Sequence, residues 1–387
     1  MPNAPQLPRR DFIKNTALGV AGATLASSML PQLAFSEKAK LAPMTVPKWK
    51  GFNFLDFFVP DPARSRKKTT EDHFRWMSDW GFDFVRIPMA YPYYLDIDYE
   101  RDITPDEVYK ISEKKVAEVD RLVEMANKHG LHVSLNLHRA PGYCINAGFH
   151  EPYNLWKDDE ALEAFCYHWE MWAKRYKGIS RELISFDLVN EPSMREDMND
   201  QFGKREAVPG MTYRRVAGAA VKRIRSVAPD HLIMADGNNG GHEAVPELID
   251  LGVGQSCRGY FPFEISHHRA PWVHKDPSGI PAPSWPNGPE QDRAGLEEFY
   301  QPWFDLQDAG VGVHCGECGC YKETPHDVFL AWFGDVLGVL SERGIGFSLW
   351  EMDGDFGILN SGRDDVAYED WHGQKLDRKL LKLLQSV

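Results

Sequence analysis

Glu191, in "FDLVNEPS", and Glu317, in "VHCGECG", each close an apolar run of strand length. A lone glutamate at a strand end is commonly a surface residue or a neighbour of a helix cap. Two of them on opposite sides of one mouth can do acid/base work on a glycosidic bond. One carboxylic acid protonates the departing oxygen, while the other carboxylate attacks the sugar carbon or activates water. The second glutamate sits among cysteines, in "GVGVHCGECGCY" (310–321). Cys315, Cys318 and Cys320 admit three readings: a zinc knuckle, a disulfide corner, or packing around one carboxylate.

Such glutamates need elements to position them. Eight short apolar runs read as strands: "KGFNF" (50–54), "FDFVRIPM" (82–89), "HVSLNLH" (132–138), "ISFDLVNE" (184–191), "HLIMADG" (231–237), "QSCRGYF" (255–261), "VGVHCGE" (311–317) and "GFSLWEM" (346–352). Their continuous apolar character is that of parallel strands covered on both faces. Helical stripes lie between them, such as Leu162, Phe165, Trp169, Trp172 and Tyr176 ahead of Gly178, and Val116, Val119, Val123 and Ala126 ahead of Gly130. "YRRVAGAAVKRIRSVAP" is a third, closed by Pro229. This alternation predicts an α/β fold, a (β/α)₈ TIM barrel forming a single catalytic domain over 47–387. A doubly wound open sheet is the alternative, but no Gly-rich phosphate loop follows the first strand. In a barrel, Arg86, His138, Asn190, Glu191, Tyr260, Glu317 and Trp350 all project toward the C-terminal mouth, where active sites of this fold sit. The Pro/Gly-dense "PSGIPAPSWPNGPEQD" reads as a surface loop that shapes a cleft.

The 387 residues are 43% hydrophobic and carry a formal net charge of −13. That sum argues against nucleic acid or an anionic membrane as partner, since both need a basic surface. Residues 1–35 read as a leader: Arg9-Arg10 ahead of Asp11-Phe12-Ile13-Lys14 and a mild Ala/Gly/Leu run resembles a twin-arginine (Tat) export signal, cleaved near Ala34. The run is too weakly apolar for a stable membrane insertion. Residues 36–46 read as a linker. The expected partner is then the Tat export machinery, and the expected location periplasmic or secreted. Tat cargo folds in reducing cytosol, so the cysteines need not pair.

"VRIP", "LNLHRAPGY", "FDLVNEP", "HCGECG" and "SLWEMDGDFGIL" come in this order at successive strand ends. With them the chain resembles glycoside hydrolase family five, the retaining, cellulase-like barrels, from about Trp49 to "LDRKLLKLL". The resemblance implies that Glu191 is the acid/base and Glu317 the nucleophile of a double displacement, with carboxyl groups about 5–5.5 Å apart. It implies that Asn190 bonds the sugar 2-hydroxyl, that Arg86 holds the nucleophile ionised, and that apolar surroundings and the charge of Glu317 keep Glu191 protonated. His138 matches a histidine lining the sugar site, Tyr260 a tyrosine touching the nucleophile, and Trp350 the platform under the sugar. Two positions depart from the pattern: Arg258 and Arg139 stand where histidines are common. Either arginine could hydrogen-bond hydroxyls or favour a substrate bearing a carboxylate. His267 and His268 look like further sugar contacts, although adjacent histidines are more often loop polar groups.

With Glu317 as nucleophile, period-two alternation sends Cys315 to the same side, as a small buried residue beneath the site. Cys144, Cys166 and Cys257 offer no zinc spacing, so plain thiols are the reading adopted, with a disulfide at Cys318 or Cys320 as the alternative. No metal or other cofactor is required. The implied activity is an endo-β-1,4-glucanase acting on β-linked polysaccharide or oligosaccharide. A β-mannanase, an exo-acting β-glucosidase and a non-catalytic carbohydrate-binding barrel are the alternatives. A barrel using metal through "HCGEC" and "SHH" would lose activity with a chelator.

Overall fold

Each of the eight apolar runs contains a strand: β1 Lys50–Asn53, β2 Phe84–Ala90, β3 His132–Ala140, β4 Ile184–Asp187, β5 Leu232–Asp236, β6 Gly254–Gly259, β7 Val313–Cys318 and β8 Gly346–Leu349. Each pairs in parallel with the next, and β8 returns to β1, so the ring closes. The structure, a computed structural model, describes residues 45–65, 69–146, 151–197, 200 and 202–387. The expected leader and linker residues 36–44 lie outside the described residues.

Helices cover the ring: α1 Glu71–Asp79, α2 Glu113–Lys128, α3 Asp159–Tyr176, α4 Gly210–Arg225, α5 Arg293–Asp308, α6 His326–Glu342 and α7 Arg378–Gln385. Phe165, Trp169, Trp172 and Tyr176 of α3 are buried, as are Val116, Val119, Val123 and Ala126 of α2. The fold is therefore the (β/α)₈ barrel that the alternation predicts. Between β5 and β6 the cover is a 3₁₀ turn, Pro246–Leu251, instead of a long helix. No described helix is long and apolar enough to cross a membrane.

The lumen differs from the branched apolar filling common in this fold. At its N-terminal end Trp49 stacks on His132 at 3.9 Å, and Phe84 lies 4.7 Å from His314. Above this aromatic plug is a small space of about 10 Å³ whose walls include Arg86, Ser134, Asp187 and Ser256. The upper barrel is thus polar and charged. Arg86 is only the third residue of β2, so it starts inside the barrel and reaches up, instead of sitting at the strand end as its place after an apolar run suggested.

A second departure is in β7. Cys257 pairs with Cys315 but Arg258 pairs with Glu317, so β7 holds one extra residue, Gly316. This bulge breaks the alternation on which the expected placement of Cys315 rested, because an inserted residue turns its successors to the other face. Glu317 faces the mouth, whereas Cys315 packs with Cys257 and Cys318 in the hydrophobic core. All six cysteines are free and buried. Cys315, Cys318 and Cys320 each donate to a backbone carbonyl at 3.3 Å. The cysteines around Glu317 are packing.

A side chain at the bulge residue would displace its neighbours. A Cβ at Gly316 would lie 2.4 Å from Ser256 Oγ and 3.2 Å from Arg258 Nη1. Gly316→Ala is expected to lower stability by about 1–3 kcal/mol, the usual range for overpacking. A denaturant midpoint equal to wild type would show that the arginine layer can yield.

Candidate active site

Arg86 and Arg258 organise the mouth. Arg86, 1% exposed, gives Nε to Asp187 Oδ2 at 2.8 Å and Nη1 to both Asn53 Oδ1 (3.1 Å) and Glu317 Oε1 (2.7 Å). Its Nη2 donates to Asn190 Oδ1 at 2.9 Å. Arg258, fully buried, gives Nε to Glu191 Oε1 at 2.9 Å. Its Nη2 reaches Asn190 Oδ1 at 3.0 Å, Glu317 Oε1 at 3.3 Å and, in a short bond, Asp236 Oδ2; Nη1 adds Asp236 Oδ1 and Ser256 Oγ. One guanidinium therefore spans both glutamates singled out from sequence.

Two cations here face four carboxyl groups: Asp187, Asp236, Glu191 and Glu317. Both guanidiniums stay charged, so full ionisation of the acids would leave an uncompensated negative charge in a buried layer. The acids answer by holding protons. Burial pushes the Glu317 carboxyl up to about 7; Arg258 and Arg86 pull against this, and Glu191 adds to it. Burial likewise raises Asp187 to about 7, with Asp236 adding to the effect. Arg86 thus opposes the protonation of Glu317, as the resemblance implied, without overcoming burial.

Glu191 lies beyond the strand expected to carry it, because β4 ends at Asp187 and residues 188–191 bend over the mouth. Its backbone has φ 49°, a left-handed conformation unfavourable for a residue with a Cβ. Two hydrogen bonds hold it there. Its N–H donates to Asp236 Oδ2 at 2.9 Å, and its carbonyl accepts from Tyr143 Oη at 2.6 Å. The apolar surroundings expected to keep Glu191 protonated are absent, since a fully buried guanidinium occupies Oε1. Arg258 takes Oε1 alone of the two carboxyl oxygens.

The other expected residues gather around this pair. Tyr260 Oη donates to Glu317 Oε2 at 3.3 Å. His138 lies 4.5 Å from the Phe58 ring and 5.7 Å from Trp350, and burial holds it neutral, well below the usual imidazole range, with Arg86 and Arg258 adding to the effect. Asn190 has its oxygen fixed by two guanidiniums, which turns its buried Nδ2 toward the His138 ring. Trp350 follows β8 and lines the cleft with Phe58, Tyr260, Trp272 and Phe356. The cleft measures about 920 Å³, and Glu191 and Glu317 both line it.

Other expectations change. Arg258 is turned inward onto carboxylates and Arg139 is buried, so neither is among the residues lining the cleft. Of the adjacent histidines, His267 lines the cleft and His268 does not. The Pro/Gly-rich stretch is largely exposed and contributes nothing to the lining; Phe263, Trp272 and Val273, just before it, do. Among the described residues no three His, Cys, Asp or Glu side chains gather as a metal-binding set.

This geometry agrees with what the chain is similar to. The family model for Cellulase (glycosyl hydrolase family 5) matches residues 40–355. The chain belongs to glycosyl hydrolase family 5. Cellodextrinase A of Ruminococcus flavefaciens is 28% identical over 71% of this chain and 76% of that protein. Endoglucanase C of Acetivibrio thermocellus is 25% identical over 78% of this chain and 89% of its own. A solved glycoside hydrolase structure superposes with a TM-score of 0.78 at 38% identity, covering 88% of this chain and 99% of that one. The protein is accordingly a glycoside hydrolase. Asp187, Asp236, Asn53 and Gly316, which complete the arginine layer of this family 5 hydrolase, were not singled out from sequence. The signal was there: Asp187 in "ISFDLV" and Asp236 in "HLIMAD" are charges inside apolar strands.

The proton count sets a pH dependence of stability. Unfolded Asp187 and Glu317 ionise near their ordinary values, whereas the folded groups hold protons to about 7. Stability from these groups is therefore fully present below about pH 4 and is lost as pH rises toward about 7, by up to about 1.4 kcal/mol per pH unit per group. Glu317→Gln cannot lose that proton. Its unfolding free energy relative to wild type is expected to rise between about pH 4 and about pH 8. Parallel pH profiles for the two proteins in denaturant titrations would remove Glu317 from the proton count.

Proposed function

We propose that this family 5 hydrolase is a Tat-exported, retaining endo-β-1,4-glucanase. The observation that carries the mechanistic part is the Glu191–Arg258–Glu317 bridge on the floor of an aromatic-lined cleft of about 920 Å³. Such a volume is at the upper end for ligand sites and suits a chain of sugars. The names of the relatives, an endoglucanase and a cellodextrinase, support β-glucan as the substrate.

In this reading a glucan chain lies along the cleft with one ring over Trp350, whose aromatic face suits the apolar face of a sugar. Glu317, ionised, attacks the anomeric carbon. Glu191 delivers the proton on Oε2 to the departing oxygen, so the carbon–oxygen bond breaks and a glycosyl ester of Glu317 remains. Glu191, now a carboxylate, takes a proton from water; the water oxygen bonds to the anomeric carbon and Glu317 leaves as carboxylate. Asn190 Nδ2, aimed by the two guanidiniums on its oxygen, bonds the 2-hydroxyl in a contact that strengthens as charge develops. Tyr260 Oη and the two guanidiniums hold the Glu317 carboxylate between steps. Neither metal nor nucleotide enters any step. Arg9-Arg10 supports export, and exchange of both for lysine should leave the protein in the cytosolic fraction.

Sugar release from carboxymethylcellulose, mixed-linkage glucan, glucomannan and galactomannan tests the reading. Release from the first two, with a rapid fall in viscosity, is expected. Release from mannans alone would assign a mannanase, and single-glucose release without a viscosity change an exo-acting glucosidase. Glu317→Gln should show no turnover. Glu191→Gln should lose roughly 10²–10⁴-fold on polymer, yet lose less on aryl glycosides, whose leaving groups need no proton. Equal losses on both substrates would take the acid role from Glu191.

Activity should also fall as pH drops through about 7, because a protonated Glu317 cannot attack. In Arg86→Lys the two-nitrogen grip on Glu317 and Asn190 is lost, so that acid limb of kcat/KM is expected to move to higher pH. An unmoved limb would assign it to another group.

A further inference from the structure

After Glu191 the chain folds back on itself: Met194 N–H donates to Glu206 O at 2.8 Å, and Glu206 N–H to Met194 O at 2.9 Å. Next to this bridge on the tip side stand Arg195 and Arg205, both on the cleft and close enough that the charge of Arg205 acts on Arg195. Of the charged side chains on this hairpin, these two line the cleft, whereas Glu196, Asp197, Asp200, Lys204 and Glu206 do not. Phe202 and Gly203 complete the hairpin's share of the lining.

Neither arginine is held in an ion pair among the described residues, although the Asp200 charge acts on Arg195 from a distance. Lys204 takes Glu206 at 3.0 Å. Arg195 gives Nη1 to the Asp200 carbonyl at 3.3 Å, while its Nε is buried and has no partner among them. Elsewhere Arg101, Arg175, Arg214, Arg223 and Arg378 each rest on a carboxylate. Two like charges side by side cost free energy unless an anion comes between them. The lining also carries Arg64, Glu351 and Asp355, of which Arg64 rests on Asp61 and Asp355 on Lys322.

Glu191 begins the same connection. If it protonates the departing oxygen, the departing sugar lies on its side of the cleft, toward the hairpin. We propose that Arg195 and Arg205 form an anion-accepting subsite for the leaving-group side of the substrate, a β-linked glycan bearing a carboxylate or a sulfate ester there. The proposal rests on the reading of Glu191 as acid/base. Two guanidinium forks match a planar carboxylate or a tetrahedral sulfate, and Trp272 lines the same cleft as an aromatic surface for the ring that carries it.

Binding in the Glu317→Gln protein separates this from turnover. The probes are cellobiose, the same disaccharide oxidised to the 6-carboxylate on its reducing-end ring, and its 6-sulfate. At low salt the better acidic disaccharide is expected to bind about tenfold more tightly than cellobiose. The preference should vanish in Arg195→Gln/Arg205→Gln and shrink at high salt, with cellobiose binding unchanged. Whichever of carboxylate and sulfate gains more identifies the anion. Equal binding of all three disaccharides, or a preference that survives the double substitution, would overturn the subsite. The three-way comparison in the parent protein decides even if the double variant does not fold. Polymer hydrolysis by wild type with no acidic preference sinks the subsite alone. An acidic preference without hydrolysis of any polymer sinks the glucanase reading alone.

Discussion

Arg86 and Arg258 are two guanidiniums, at most 1% exposed, placed side by side in the upper barrel. Neither can shed its charge, and isolated burial of either would be prohibitive. Much of the site is the means of satisfying them. Asp187 and Asp236 lie inside apolar strands to supply counter-charge, Asn53 and Asn190 take the remaining N–H groups, and Gly316 leaves the space the forks fill. The β7 bulge belongs to the same solution, because it turns Glu317 inward onto both arginines. A buried network of this kind is weak evidence of stability, since desolvation offsets much of its attraction. What it supplies is position. Glu317, Asn190 and Glu191 are held by bonds in fixed directions instead of by rotamer preference.

The same network explains why two identical side chains behave differently. Glu317 accepts from Arg86, Arg258 and Tyr260 and has little contact with solvent. Glu191 accepts from Arg258 at one oxygen only, on a backbone held in a left-handed turn by Asp236 and Tyr143. Asp236 thus serves twice, as counter-ion to Arg258 and as acceptor for the Glu191 N–H. A carboxylate there that lost its charge would disturb the arginine and the glutamate together. Such coupling means that single substitutions in this layer will not sum independently.

The barrel and its mouth were legible because parallel strands covered on both faces write continuous apolar runs, and these ran to the residues that matter. Arg86, His138, Asn190, Glu191, Tyr260, Glu317 and Trp350 do meet around one cleft. The arginine layer was harder to read, because Asp187 and Asp236 declare themselves only as misplaced charges whose partners are distant in sequence. The bulge at Gly316 was invisible: a glycine in a strand signals a bulge or a close approach, but period-two counting across it put Cys315 on the wrong face. The environment of Glu191 was misjudged for a related reason. Arg258 lies 67 positions away, and nothing local says that its Nε ends on Glu191.

Arginines near this cleft illustrate how availability to a ligand is decided. Arg258 and Arg139 drew attention because they stand where histidines are common, yet both are buried, and Arg258 is spent on Asp236, Glu191 and Glu317. Arg195 and Arg205 sit in an unremarked polar stretch full of acids, and sequence alone would pair them with Glu196, Asp197 or Glu206. The fold prevents that. The chain reversal closed by Met194 and Glu206 brings both arginines to the cleft and leaves the acids of this stretch outside the lining. A cation is open to substrate only so far as the fold leaves it unbalanced. By that measure Arg195 and Arg205 remain open at the cleft, whereas Arg86 and Arg258 beneath it are already engaged by carboxyl groups.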